Sequence, residues 1–241
     1  MNSFSIWAVI PAAGIGRRMQ SDIPKQYLKL LGASVLENTI QRLLAADKIS
    51  GLAIALRDDD QYWPELNINS AKPVLRAEGG SERCDSVLNA MKALAQHENF
   101  DINNDWVLVH DAVRPCVRLS DIERLIAQAT LNNAGGLLAL PVRDTMKRQT
   151  VGAQVVQQTV EREGLWHALT PQLFPYSVLQ NALIRAIAEG IAVTDESSAM
   201  EHAGFAPLLV ESCEDNIKIT RPGDLRLAEL FMADQQTQED S

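Results

Sequence analysis

Cysteine is scarce in this chain and gives no pattern. Cys84, Cys116 and Cys213 are odd in number, far apart, and form no CxxC pair. A disulfide framework is therefore not expected, and reduced thiols in a cytoplasmic protein are the plain expectation. The four histidines, His97, His110, His167 and His202, are scattered, with no two at ligand spacing, which argues against a zinc site. No GxSxG elbow supports hydrolase chemistry. Neither GxGxxG nor GxxxxGK[ST] is present. No apolar stretch reaches the roughly 18 residues of a membrane span, and residues 1–11 lack the basic start of a signal peptide. Basic residues are also in deficit. Lys and Arg number 22 against 31 Asp and Glu, a net charge of −9. A nucleic-acid binder usually carries a basic patch or stripe. The expectation is a protein with neither nucleic-acid nor membrane partners, although a local basic cluster in an acidic chain still suits a small anionic ligand.

What is present is alternation. Short apolar runs at residues 6–11, 51–56, 73–76, 106–109 and 136–141 read as buried strands. Between them lie helical patterns at about 34–46, where Ser34 is the N-cap, 81–96 and 119–129. Strands alternating with helices predict an α/β fold with a doubly wound, mainly parallel sheet, Rossmann-like, with right-handed crossovers. The pattern breaks at about 142–169, where short β-prone pieces at 154–160 and 165–169 predict a protruding β-arm. Helices return at 177–189 and 195–202, strands are expected at 207–211 and 216–219, and a closing helix at 223–233. No repeat or linker divides the chain, so residues 1–241 read as one domain carrying the inserted arm.

The first strand runs straight into Pro11-Ala12-Ala13-Gly14-Ile15-Gly16-Arg17-Arg18-Met19. Ligands of open α/β sheets bind outside the carboxyl ends of strands. Gly14 and Gly16 permit a tight turn and close approach of backbone amides to phosphate oxygens. An ordinary turn with solvated arginines would carry the same glycines. Arg17, Arg18 and Lys25, however, gather three cations beside the loop of an acidic chain, as a triphosphate requires.

Further segments make the pattern specific. They are Gly79-Gly80-Ser81-Glu82-Arg83-Cys84-Asp85-Ser86, His110-Asp111-Ala112-Val113-Arg114-Pro115, Pro141-Val142-Arg143-Asp144-Thr145, Trp166-His167-Ala168-Leu169-Thr170-Pro171-Gln172, Thr194-Asp195-Glu196 and Asp215-Asn216-Ile217-Lys218. With the glycine loop and Pro24-Lys25, their order over essentially the whole chain resembles the 2-C-methyl-D-erythritol 4-phosphate cytidylyltransferases, within the nucleotidyltransferases that activate polyol phosphates. The resemblance implies CTP and a polyol phosphate as substrates, pyrophosphate as leaving group, and a place in non-mevalonate isoprenoid synthesis.

Residue by residue, it implies Arg18 and Lys25 as the catalytic cations. It places Pro11, Ala12, Ala13, Gly14, Gly16, Gly80, Arg83 and Ser86 along the nucleotide. For the acceptor it implies Asp111, Arg114, Thr145, Arg162, Thr170, Thr194 and Lys218. A magnesium ion, with Asp111 near it, would accompany the triphosphate. The arm would join two chains in a homodimer, so that Thr145 and Arg162 serve the neighbour's site. His110 reads as a structural histidine, since an incoming phosphate is already ionised near neutral pH. A cytidylyltransferase for another polyol phosphate, such as ribitol 5-phosphate, stays open, as does a non-catalytic nucleotide-binding protein on the same fold.

Overall fold

The computed structural model describes residues 4–14 and 23–239. In chain order the strands and helices begin with β1 (Ile6–Pro11), β2 (Lys29–Leu30), β3 (Ala33–Ser34), α1 (Val35–Ala45), β4 (Ile49–Leu56), β5 (Val74–Glu78) and α2 (Arg83–Leu94). They continue with β6 (Trp106–Val109), α3 (Leu119–Ala129), β7 (Gly136–Pro141), β8 (Met146–Gln149), β9 (Val156–Val160) and β10 (Trp166–Pro175). The chain closes with α4 (Tyr176–Ala188), α5 (Glu196–His202), β11 (Leu208–Glu211) and α6 (Pro222–Glu239).

Seven strands form one sheet in the order β11-β7-β10-β6-β1-β4-β5. The pairs β1 with β4, β1 with β6, β4 with β5 and β7 with β11 are parallel. Only β10 among these runs antiparallel, pairing with both β6 and β7. The mainly parallel, doubly wound sheet is as expected. Its inner parallel strands β1, β4, β6 and β7 are buried on both faces, which is why they read as continuous apolar runs. Period-two alternation then divides them between two cores. Ile6, Ala8 and Ile10 of β1, with Trp106 and Leu108 of β6, pack on the side of α1 and α3. Trp7, Val9, Val107 and Val109 face α2, α4 and α5.

Local sequence sets the helix starts. Ser34 caps α1 in a reciprocal box: its hydroxyl accepts from the Glu37 amide, and the Glu37 carboxylate accepts from the Ser34 amide. The expected start of α2 at residue 81 moves to Arg83, because Glu82 takes the N-cap with an extended backbone and its amide donates to the Asp85 carboxylate at 3.0 Å.

Two expectations are corrected. Residues 166–169, read as part of the arm, belong to the central sheet through β10, so the separate hairpin is β8 with β9. Residues 216–219 form no strand. Their backbone groups are taken individually instead: Arg114 Nη1 donates to the Asn216 carbonyl at 2.8 Å, Lys25 Nζ to that of Ile219 at 3.4 Å, and the Ile219 amide to the Val113 carbonyl at 2.9 Å. The alternation survives without a ladder. Ile217 and Ile219 enter a third core beneath α6, and Lys218 turns the other way.

Candidate active site

The carboxyl ends of β6 and β1 are adjacent and that of β5 lies beyond β4 at the same end of the parallel strands, so their following loops share one rim. Pro11, Ala12, Ala13 and Gly14 leave β1, and Gly79 to Ser86 join β5 to α2. His110 to Arg114 follow β6. A first pocket is lined by the β1 loop, Lys25, Gly80, Arg83 and Ser86, with Asp111 and Lys218 opposite. A second is lined by Arg114, Thr170 and Thr194, and shares Arg83, Asp111 and Lys218 with the first. The two cavities therefore meet along a common wall.

That wall is a charge cluster. The Asp111 carboxylate receives Lys218 Nζ at 2.9 Å, Arg114 Nε at 3.2 Å and Arg83 Nη2 at 3.4 Å. Burial alone would raise the Asp111 carboxyl. The charges of Arg83, Lys218 and Arg114 outweigh it and hold the group well below the ordinary carboxylate range. Arg83 is also gripped by Glu196 through two bonds, of 2.5 and 3.1 Å. Three cations and two carboxylates leave the cluster itself one net positive charge; Lys25 adds a further cation to the first cavity, whereas Glu82 and Asp195 bring a carboxylate to the first and the second respectively.

The walls around it are tight. Gly79 and Gly80 each lie where a methyl would have no room, the first against the Ala13 methyl and the second against Asp85. The Ser86 hydroxyl accepts from the Gly80 amide at 3.0 Å and donates to the Glu82 carbonyl at 3.2 Å. Ser86 thus shapes the turn through groups already engaged. Lys25 rides on a short 3-10 turn, Lys25–Tyr27. The next side chain, Gln26, donates to the carbonyls of Ala12 and Gly14 at 3.0 and 3.2 Å, tying that turn to the β1 loop.

His110 is fully buried, as a structural histidine should be, and burial pulls its pKa down to about 4. Its Nε2 lies 3.0 Å from the Arg114 carbonyl, which can only accept, so Nε2 carries the proton. Nδ1 then accepts from the Thr170 hydroxyl at 3.1 Å, and that oxygen accepts from the Asp111 amide at 3.0 Å. Thr170 and Asp111 are thereby locked in register across the β6–β10 junction.

The expected residues therefore divide. The nucleotide set of Pro11, Ala12, Ala13, Gly14, Gly80, Arg83 and Ser86 meets Lys25 in one cavity. Asp111, Arg114, Thr170, Thr194 and Lys218 meet in the other. Thr145 and Arg162 are exposed at the root of the hairpin, away from both cavities, with Arg162 donating to the Arg143 carbonyl. Gly16 and Arg18 lie outside the described residues. Sequence reasoning passed over Gln26, Gln172 and Glu196 as site residues. Gln26 follows Lys25 directly and Glu196 stands in a motif of the resemblance, so adjacency was the available signal. Gln172 had only its place in such a motif. It bonds Asp195 at 2.9 Å and the Ser197 amide at 2.8 Å, holding the start of α5.

The family model described as 2-C-methyl-D-erythritol 4-phosphate cytidylyltransferase (IspD) matches residues 6–234. The protein of that name from Vibrio atlanticus is 51% identical over 229 residues, covering 95% of this chain and 96% of the relative. The one from Escherichia coli O157:H7 is 47% identical, covering 94% and 93%. The solved structure of the Francisella tularensis 2-C-methyl-D-erythritol 4-phosphate cytidylyltransferase aligns with a TM-score of 0.81 at 35% identity, over 94% of this chain and 99% of that one. With a nucleotidyltransferase fold and a paired cavity at the strand ends, the chain belongs to the 2-C-methyl-D-erythritol 4-phosphate cytidylyltransferase family.

Proposed function

We propose that this enzyme transfers CMP from CTP to 2-C-methyl-D-erythritol 4-phosphate, with CTP in the first cavity and the acceptor in the second. The observation that carries the reading is the shared wall of Arg83, Asp111 and Lys218. Two polyanions must come into contact, and the wall offers cations to both. An acceptor phosphate oxygen forms the new bond to the α-phosphorus. The bond from that phosphorus to the bridging oxygen breaks, and pyrophosphate leaves with the electron pair. Little covalent work falls to the protein, so positioning and charge stabilisation dominate. Lys25, with Arg18, would stabilise the charge growing on the α-phosphate. Arg114, Thr170, Thr194 and Lys218 would orient the acceptor.

Among the described residues no three His, Cys, Asp or Glu side chains gather as a metal cage. A magnesium ion carried by the triphosphate needs none, because it keeps waters and few protein ligands. Among the described residues Glu82 and Asp111 are the carboxylates lining the first cavity; Glu82 would be the one to hold the ion, with Asp111, already shared by three cations, near it. Bound there, the ion would neutralise triphosphate charge.

Residues 1–241 would act as one domain in a cytoplasmic homodimer joined through the β8–β9 hairpin. Thr145 and Arg162, exposed beside that hairpin, would then reach the partner's acceptor cavity. Among the described residues no helix is long and apolar enough to cross a membrane. The test is pyrophosphate release with magnesium and CTP, comparing 2-C-methyl-D-erythritol 4-phosphate, ribitol 5-phosphate and no acceptor. Release requiring the first acceptor is expected. Equal or faster release with ribitol phosphate would move the substrate, and silence with both would overturn the assignment.

A further inference from the structure

We infer that Glu196 is a positioning residue for the transfer, acting through Arg83. The inference rests on the proposed two-cavity reading. Glu196 opens α5 and its side chain is 0% exposed. It meets the Arg83 guanidinium with both oxygens, Oε1 on Nη1 at 2.5 Å and Oε2 on Nη2 at 3.1 Å. Such a two-point contact fixes the plane of the guanidinium as well as its distance. Arg83 is the first residue of α2, it lines both cavities, and its Nε and Nη2 reach Asp111 at 3.4 Å. Glu196 therefore connects the helix that bounds the nucleotide cavity with the segment that carries Thr194. Its own place is set from behind: Gln172 in β10 bonds the neighbouring Asp195 and the Ser197 amide, as described above.

A buried carboxylate is an unexpected group beside a site for two polyanions. As a plain charge it opposes both substrates, so removing it would favour their binding. As a fixed support for Arg83 it would instead govern how the guanidinium sits between them, and a displacement near 1 Å costs about a hundredfold in rate. The two roles predict opposite responses.

The experiment measures kcat and KM for both substrates in Glu196→Gln, Glu196→Asp, Arg83→Met and the Arg83→Met/Glu196→Gln double variant, with folding followed by circular dichroism. The wild type is assayed in parallel; if it fails to transfer CMP, the functional reading fails rather than this one. The expected result is that kcat falls about a hundredfold in Glu196→Gln without a rise in either KM. Glu196→Asp, which keeps the charge but shortens the reach, should fall as well. In the Arg83→Met background the Glu196→Gln change should cost nothing further. Wild-type kcat in either folded Glu196 variant would overturn the inference, as would a full additional loss in the double variant.

Discussion

Replacing Asp111 by Asn removes the one carboxylate that three cations share, and its cost can be worked through the partners. Lys218 is 38% exposed at its side chain, so water takes over most of what it loses. Arg83 keeps Glu196. Arg114 is 9% exposed at its side chain and among the described residues retains only the Asn216 carbonyl, so it is left as a buried, undercompensated charge. Breaking a buried pair from one side costs roughly 3–5 kcal/mol, and the remaining acceptors point to the lower end, about 3 kcal/mol. For a chain of this size that lowers Tm by about 6–12 °C. The assay is thermal and urea unfolding of both proteins, without nucleotide or divalent cation. The pH dependence has a definite sign. The folded-state pKa of Asp111 is depressed, so its contribution is fully present above the unfolded value, near 4, and is lost as pH falls through the folded value. The stability gap between wild type and Asp111→Asn should be constant from pH 7 to 5 and shrink below pH 4. A Tm within about 2 °C of wild type, or a gap that stays constant into that acid range, would refute the reasoning.

Other outcomes follow from the same geometry. His110 has a folded pKa of about 4 against 6.5, so the unfolded chain takes up a proton first on acidification. Stability should fall from pH 6.5 toward 4 by up to about 1.4 kcal/mol per pH unit, and urea midpoints of His110→Gln should show a shallower fall. Gly79→Ala sets a methyl against Ala13 in the nucleotide loop, a conflict of about 1–3 kcal/mol, so KM for CTP should rise on the order of tenfold or more. Initial rates in a CTP titration check it. Lys25→Ala should lower kcat by about 10²–10³ while the circular dichroism spectrum is unchanged, as for any lost donor at a developing oxyanion.

Much of the architecture was legible because burial on both faces leaves a plain mark. Strands β1, β4, β6 and β7 read as apolar runs, and their carboxyl ends located the loops of the site. Strand β10 was harder to place. Its first half is a short β-prone piece set off by a polar turn, as the pieces of the arm are, while its pairing with β7 and β6 is a long-range choice that local pattern does not encode. Residues 216–219 misled for a related reason. Alternation along Ile217, Lys218 and Ile219 was real, yet the backbone bonds that would complete a strand go to Arg114, Lys25 and Val113. The candidate site was legible where motifs sat at strand ends. The supports behind it, Gln26, Gln172 and Glu196, stand beside motif residues in the sequence, but what they hold is seen once distant segments are brought together.

The most direct measurement is phosphorus NMR of a mixture of the enzyme, magnesium, CTP and 2-C-methyl-D-erythritol 4-phosphate. The account predicts that the phosphomonoester resonance of the acceptor disappears as a coupled pair of diphosphate signals and free pyrophosphate grow together. Consumption of CTP with the phosphomonoester untouched, or no change in either resonance from a folded protein, would contradict it.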